Sequence, residues 1–536
     1  MSTQPLTSPE SQRALQFTDG ADCKRWIEKL PLTNIQQAQR VLTAQCAALN
    51  AAEIPALERL KMLEALKELV AFMQGESANG YAGKALPLET GESAVWADVI
   101  ELWEEINHNY QQCLKAYREG DLAIAPHAPL ITMRCLRALG CEMLDYYRVY
   151  RRPPGVLWRA LHDLYSFAEQ HGFTRIRVQD SFAQRDPDSS CAETYAQALL
   201  AHLANPYALS TRQLAFMQRW VEKWATLVGL VAQPLPASAM PALAVDLGGS
   251  AGVEFASDLE PGPNLRYLDL EQLSKTLRQT ITLLKQGQTP VQLGLGEHAR
   301  QPGCENLLML LYVQWCRAGT GRGEERQQTE ERVGVCFGIS AAHFHVSGGH
   351  GFRQPGELTS SEKRDLDTYG YILRTHHEAI GKDKDEHRFE TWQIANQSAS
   401  GFMCILREPD SQARIGHNQL IAVRRTDSKQ FQLGMVQWLK LEEDQELCCG
   451  VRVFPGTPQA VSVRPSNFSP ADSRYERALY LPEVPAAAAP ATLILPPGWF
   501  QNGAFVEVFS DRRQVAKLLN LLEMGSDFDR CTATLM

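Results

Sequence analysis

A multidomain α+β chain is the fold class this sequence predicts, and three observations carry the prediction. Up to about residue 232, apolar side chains recur at three- and four-residue intervals. Beyond about residue 330 they alternate at two, and a stretch rich in proline and alanine divides the two regimes. The expected order is an N-terminal helical scaffold over 15–232 and an α/β linking domain over 240–319. An antiparallel β-barrel over 320–456 and a C-terminal β extension and helix over 457–536 complete it. A chain of 536 residues is too long for one ordinary domain, which agrees with several.

The helical half is read element by element. LERLKMLEALKELVAFMQG, Leu57 to Gly75, sets Glu58, Lys61, Glu64 and Lys67 against an apolar face, with Gly75 as its expected stop. Trp96 to Gly120, Leu130 to Tyr150 and Leu157 to Gly172 carry the same period. Pro153 and Pro154 separate the last two, because proline cannot continue a helix. A further set runs from Ser189 to about Leu230, broken at Asn205-Pro206 and restarted by Ser210. The aromatic rings at helical spacing read as packing between neighbouring helices, and no fixed repeat period emerges.

AQPLPASAMPALAVDLGG, Ala232 to Gly249, marks the boundary. Its ALAVDLGG lacks both glycine-rich phosphate-binding patterns and reads as a turn. VEFASD and LRYLDL are expected as short strands, and Leu270 to Gly287 and Cys304 to Gly319 as helices.

In the later half, ERVGVCFGISAAHFHV reads as two strands around a glycine. ETWQIANQSASGFMCIL, NQLIAVRR, FQLGMVQWLKL and CCGVRVF then read as consecutive antiparallel strands, which close into a barrel because closure removes exposed edges. A further β segment spans Ala491 to Phe509, its first strand ended by Pro496-Pro497, and DRRQVAKLLNLLEMGSDFDR reads as a terminal helix.

Composition restricts the function. Net charge is -9, which disfavours nonspecific binding to nucleic acid or anionic membrane. The first residues lack a basic segment followed by an apolar core, and no apolar run is long enough for a conventional membrane span. Thirteen cysteines without a CxxC pair read as reduced thiols, so a cytoplasmic protein is expected. His343, His345 and His350, near Cys336, could face one metal from a strand, but no acidic partner orients them. His376 and His377 are adjacent and diverge. No catalytic constellation stands out, so a noncatalytic protein without metal or cofactor is expected.

One motif carries more. NQSASG, Asn396 to Gly401, fits the pattern (Asp/Asn)-x-Ser-x-x-Gly, and GRGEERQQTEERVGVCFG supplies Arg322 and Arg326 as Arg-x-x-x-Arg ahead of a strand. Arg332 is an alternative member of the arginine arm. With the strand order that follows, this set resembles an atypical member of the PilZ-domain family. About 69 residues lie between Arg326 and Asn396, more than the family usually has there, so the resemblance implies an insertion at 347–388 within the barrel.

The resemblance implies a bacterial receptor for the second messenger cyclic di-GMP, with ligand contacts from Arg322, Arg326, Arg332, Asn396, Ser398 and Gly401. The chemistry agrees: arginine forks pair with phosphates or with guanine edges. Asn396 and Ser398 supply donors and acceptors, and Gly401 permits close backbone approach. Trp392 and Trp438 read as barrel packing. Occupancy is expected to be passed to a protein effector, with no DNA or membrane insertion; self-association is allowed. The competing expectation is a ligand-independent interaction scaffold with a degenerate PilZ-like domain. An enzyme acting on a nucleotide is the third.

Overall fold

The computed structural model of the chain describes residues 14–179, 188–236, 242–317, 327–328, 331–355, 364, 368–369, 387–398, 402–408, 410–466 and 474–536. They divide into two compact units at residue 323, with 85–87 grouping with the second.

The first unit opens with helices α1 (Gly20–Ile27), α2 (Ile35–Ala51), α3 (Ala56–Ala78), α4 (Thr90–Arg118), α5 (Ala128–Arg148) and α6 (Gly155–Gln170). Strands β1 (Val178–Gln179) and β2 (Asp188–Ser189) pair ahead of α7 (Cys191–Leu203) and α8 (Thr211–Trp224). Local chemistry sets the starts. Ser190 with Glu193 and Ser210 with Gln213 form reciprocal capping boxes at α7 and α8. The α3 helix runs past Gly75 to Ala78, so that glycine is no stop.

The rings on these helices are structural. Asp145, 1% exposed, accepts from Tyr81 Oη at 2.6 Å, Trp103 Nε1 at 2.8 Å and Arg148 Nη1 at 2.5 Å. Its burial is tolerated because every donor around it is charged or polar and aimed at it. Trp220, Trp224 and Trp315 pack ring on ring at 5.8 and 6.2 Å within the same core. A four-stranded antiparallel sheet follows in the order β3 (Gly229–Val231), β6 (Leu265–Asp269), β4 (Leu243–Asp246), β5 (Glu254–Phe255). Helices α9 (Glu271–Lys285) and α10 (Gly303–Cys316) close the unit.

The second unit holds two six-stranded rings. After β7 (Gln327–Gln328), the first ring uses β8 (Arg332–Phe337), β9 (Glu390–Gln397), β10 (Phe402–Leu406), β11 (Leu420–Arg425), β12 (Gln432–Leu441) and β13 (Leu447–Val453). Pairing runs β10-β13-β12-β11-β8-β9 and returns from β9 to β10. Val333, Val335, Trp392, Ile394, Ile421 and Val423 alternate into its interior and are at most 1% exposed. Trp438 lies over Gly450, where a Cβ would fall 1.9 Å from Trp438 Nε1. Both tryptophans are therefore packing residues.

The second ring closes in the order β14 (Gln459–Pro465), β15 (Glu476–Leu481), β16 (Thr492–Leu495), β19 (Asp529–Leu535), β18 (Arg513–Met524), β17 (Phe505–Phe509). Helix α11 (Gly338–Val346) packs on both rings. Its Ala341 and Ala342 share a buried cluster with Cys336, Leu420, Leu479 and Ile494. The small side chains bring the helix close to the strands.

Two further expectations need correction. The terminal segment Arg513–Met524 is a strand, not a helix: β18 pairs with β17 on one side and β19 on the other. Its leucine spacing favours a helix, but two flanking strands demand a partner, and long-range pairing outweighs local propensity. The segment after Gly338 is a helix, not a second strand. Gly338 takes φ +85, which reverses the chain, and the following residues cover the barrel wall. His343 and His345 are therefore helical. His345 Nε2 meets the His387 carbonyl at 2.8 Å, and burial pushes His343 down to about 4. Among the described residues no cluster of His, Cys, Asp and Glu could hold a metal ion, and no helix is long and apolar enough to cross a membrane. All thirteen cysteines are free thiols.

Candidate functional site

The residues that follow the arginine motif and the start of NQSASG, far apart in sequence, meet at one end of the first ring. Strand β9 runs antiparallel to the chain entering the barrel: Arg332 stands opposite Gln393, and Ile394 N donates to Glu331 O at 2.8 Å. Further along, Gln327 pairs with Gln397 and Gln328 with Asn396. On its other flank β9 pairs with β10, where Cys404 stands opposite Asn396. The NQSASG motif therefore begins on a strand clamped on both sides.

Of the expected site residues, Asn396 and Ser398 are half-buried at the end of β9. Arg332 opens β8; its side chain is 71% exposed and its Nε lies 3.6 Å from Glu408 Oε1. Arg322, Arg326 and Gly401 lie outside the described residues, as does most of the expected insertion at 347–388. What is described is the seam itself: β7 begins one residue after Arg326 and is paired to the strand that carries Asn396.

Other residues of the first ring escaped the sequence reading. Arg425 ends β11 on the same side as Ile421 and Val423, at the mouth of the ring. It bonds Glu331 and Gln397. Its neighbour Arg424 takes the opposite side, 4.7 Å from the Phe389 ring centroid and 5.2 Å from that of Phe431. Such contacts are cation–π interactions. Glu390, at the start of β9, receives Gln412 N and Ala413 N at 2.8 Å each, together with Ser411 Oγ. Burial pushes its carboxyl up, but the bonds from Ser411, Gln412, Trp392 and Ala413 outweigh that and hold it below the usual carboxylate range. The charged pair ending LIAVRR was the available signal for Arg425, read only as the end of a strand.

This arrangement defines a class before it defines a relative: a closed β-barrel with an arginine-bearing approach strand and a polar loop at one rim, followed by a second closed barrel and preceded by helices. Comparison with known proteins agrees along the chain. Three family models match in order: "Cyclic-di-GMP receptor FimW, N-terminal domain" over 21–235, "Cyclic-di-GMP receptor FimW, middle PilZ domain" over 255–369, and "FimW C-terminal beta-barrel domain" over 461–535. The chain belongs to the PilZ-containing receptor family that these models describe. It is 22% identical over 543 residues to a Pseudomonas aeruginosa protein named cyclic-di-GMP receptor FimW, with 93% of this chain and 88% of that protein aligned. No solved structure matches. The middle-domain match takes in β8 and α11 and ends before β9, so it includes the arginine arm and not NQSASG.

Proposed function

We propose that this chain is a cytoplasmic receptor for cyclic di-GMP, which binds at the rim where β7 meets β9. Arg322 and Arg326 act as the cationic arm, with Arg332 as a lesser member, and Asn396, Ser398 and Gly401 form the facing loop. The observation that carries the reading is the pairing of Gln328 with Asn396, which brings the arm's root and the loop onto neighbouring strands. A ligand with two phosphates and two guanine edges suits arginine forks beside an amide, a hydroxyl and a Cβ-free backbone. Occupancy is then passed to a protein effector, through differing affinities of the ligand for two states of the chain.

Isothermal titration of the full chain with cyclic di-GMP tests the reading. Saturable binding in the micromolar range or tighter is expected, weakening as salt screens the phosphates. A silent titration, with no competition against labelled ligand, would overturn it. Recovery of one partner irrespective of nucleotide would then favour the ligand-independent scaffold.

A further inference from the structure

Arg425 reaches two residues that the sequence keeps far apart. Its Nη1 lies 2.7 Å from Glu331 Oε2, and its Nη2 donates to Gln397 Oε1 across 2.5 Å. Glu331 stands directly ahead of β8, between the arginine arm and the barrel. Gln397 stands between Asn396 and Ser398. One planar guanidinium thus grips both halves of the rim, which a lysine, as a compact point charge, matches poorly.

We infer that Arg425 is a positioning residue for the proposed ligand site: a side-chain clasp that holds the root of the arginine arm against the Asn396–Ser398 loop. This rests on the receptor reading. The two-rung pairing of β7 lies at the end of a ladder, where local opening costs least. A clasp across that seam fixes the geometry before ligand arrives and removes an ordering cost from binding. Arg425 does not act chiefly as a ligand contact, because its charge is already balanced by Glu331. Nor is it chiefly a stabiliser of the fold. Its side chain and that of Glu331 are 33% and 27% exposed, at the mouth of the ring where solvent still screens the pair and limits what it adds to stability. Its loss therefore registers in affinity.

The test uses the full chain and three variants, Arg425→Gln, Gln397→Ala and the double variant, with cyclic di-GMP as probe. Arg425→Gln is expected to weaken binding about five- to tenfold while the melting temperature stays close to wild type. Gln397→Ala is expected to add little in the Arg425→Gln background, since the two act through one contact. In the ligand-free protein, Arg425→Gln should speed amide exchange at 327–331 and 396–398 but not along β14. Arg425→Lys should recover only part of the affinity. Wild-type affinity in Arg425→Gln, or independent effects of the two single variants, would overturn the assignment. Weakened binding with unchanged exchange would overturn it too, by making Arg425 a direct contact. If the wild type binds no ligand, the receptor reading fails by itself, and the exchange comparison still decides whether the clasp exists.

Discussion

Gln328 stands opposite Asn396 in an antiparallel pair, so the chain just after the arginine arm and the start of the NQSASG loop are next-door strands. The long sequence gap between Gln328 and Asn396 is thus no gap in space.

The first prediction follows from that pairing. Arg326→Ala is expected to weaken cyclic di-GMP binding at least tenfold, about 1.4 kcal/mol, through loss of a charge-assisted contact. Arg322→Ala should behave similarly. Arg332→Ala should cost less, since its side chain is 71% exposed and already near Glu408. Titration calorimetry reads all three, with circular dichroism to confirm folding. Wild-type affinity in both folded Arg322→Ala and Arg326→Ala proteins would refute the arm.

Gly450 is expected to tolerate no side chain. A Cβ there would meet Trp438 Nε1 at 1.9 Å, in a wall where Val436 and Trp438 already flank an irregularity of register. Gly450→Ala should destabilise the second unit by about 1–3 kcal/mol, the range for overpacking. Urea unfolding followed by tryptophan fluorescence measures it; an unchanged midpoint would mean that the ring swings aside.

Arg452 on β13 and Arg530 on β19 share one carboxylate, Glu523, at 2.8 and 3.1 Å. Burial lowers the Arg530 pKa, so the fold depends on Glu523 to hold that charge inside. Glu523→Ala leaves two arginines facing each other and is expected to cost about 3 kcal/mol. Thermal melts of wild type and variant provide the comparison, and a shift under a degree would show that water replaces the carboxylate.

Asp527 predicts a pH effect of definite sign. Burial raises its carboxyl from 3.8 to about 6, Oδ1 accepts from Leu420 N at 2.9 Å, and buried Oδ2 takes no hydrogen bond. A carboxyl raised in the folded state contributes stability that is fully present below about 3.8 and lost as pH rises through about 6. At pH 7.5 the charged form therefore carries a cost of up to about 3 kcal/mol. Asp527→Asn should be more stable than wild type there, with the gap closing towards pH 4. Melting temperatures at four pH values between these limits check it; a gap independent of pH would break the link to titration.

Much of the fold was legible because single periods dominate single elements. Val333, Val335, Ile421 and Val423 alternate as barrel strands do, and α5 and α6 carry unbroken helical stripes on either side of Pro153-Pro154. Reading failed where local and long-range preferences compete. Leu518, Leu519, Leu521 and Leu522 have helical spacing, yet only β18 can close the second ring. His343 and His345 alternate like strand residues, yet Gly338 turns the chain into α11. The asparagine and serine of the proposed site were visible as a motif. Arg425 was not, because its partners are neighbours only through strand register, which one strand's own sequence does not contain.

Closure of both rings also limits how any partner could dock on them. A peptide that joins a sheet as an added strand needs a row of unpaired N–H and C=O groups along an edge. Among the described strands, each ring strand has a neighbour on both sides over at least part of its length, and β7, two residues long, pairs on one side with β9. That offers roughly 7 Å of template, too little for β-augmentation. A partner that docks on the rings would therefore meet mainly side chains and loops, with little backbone left to pair.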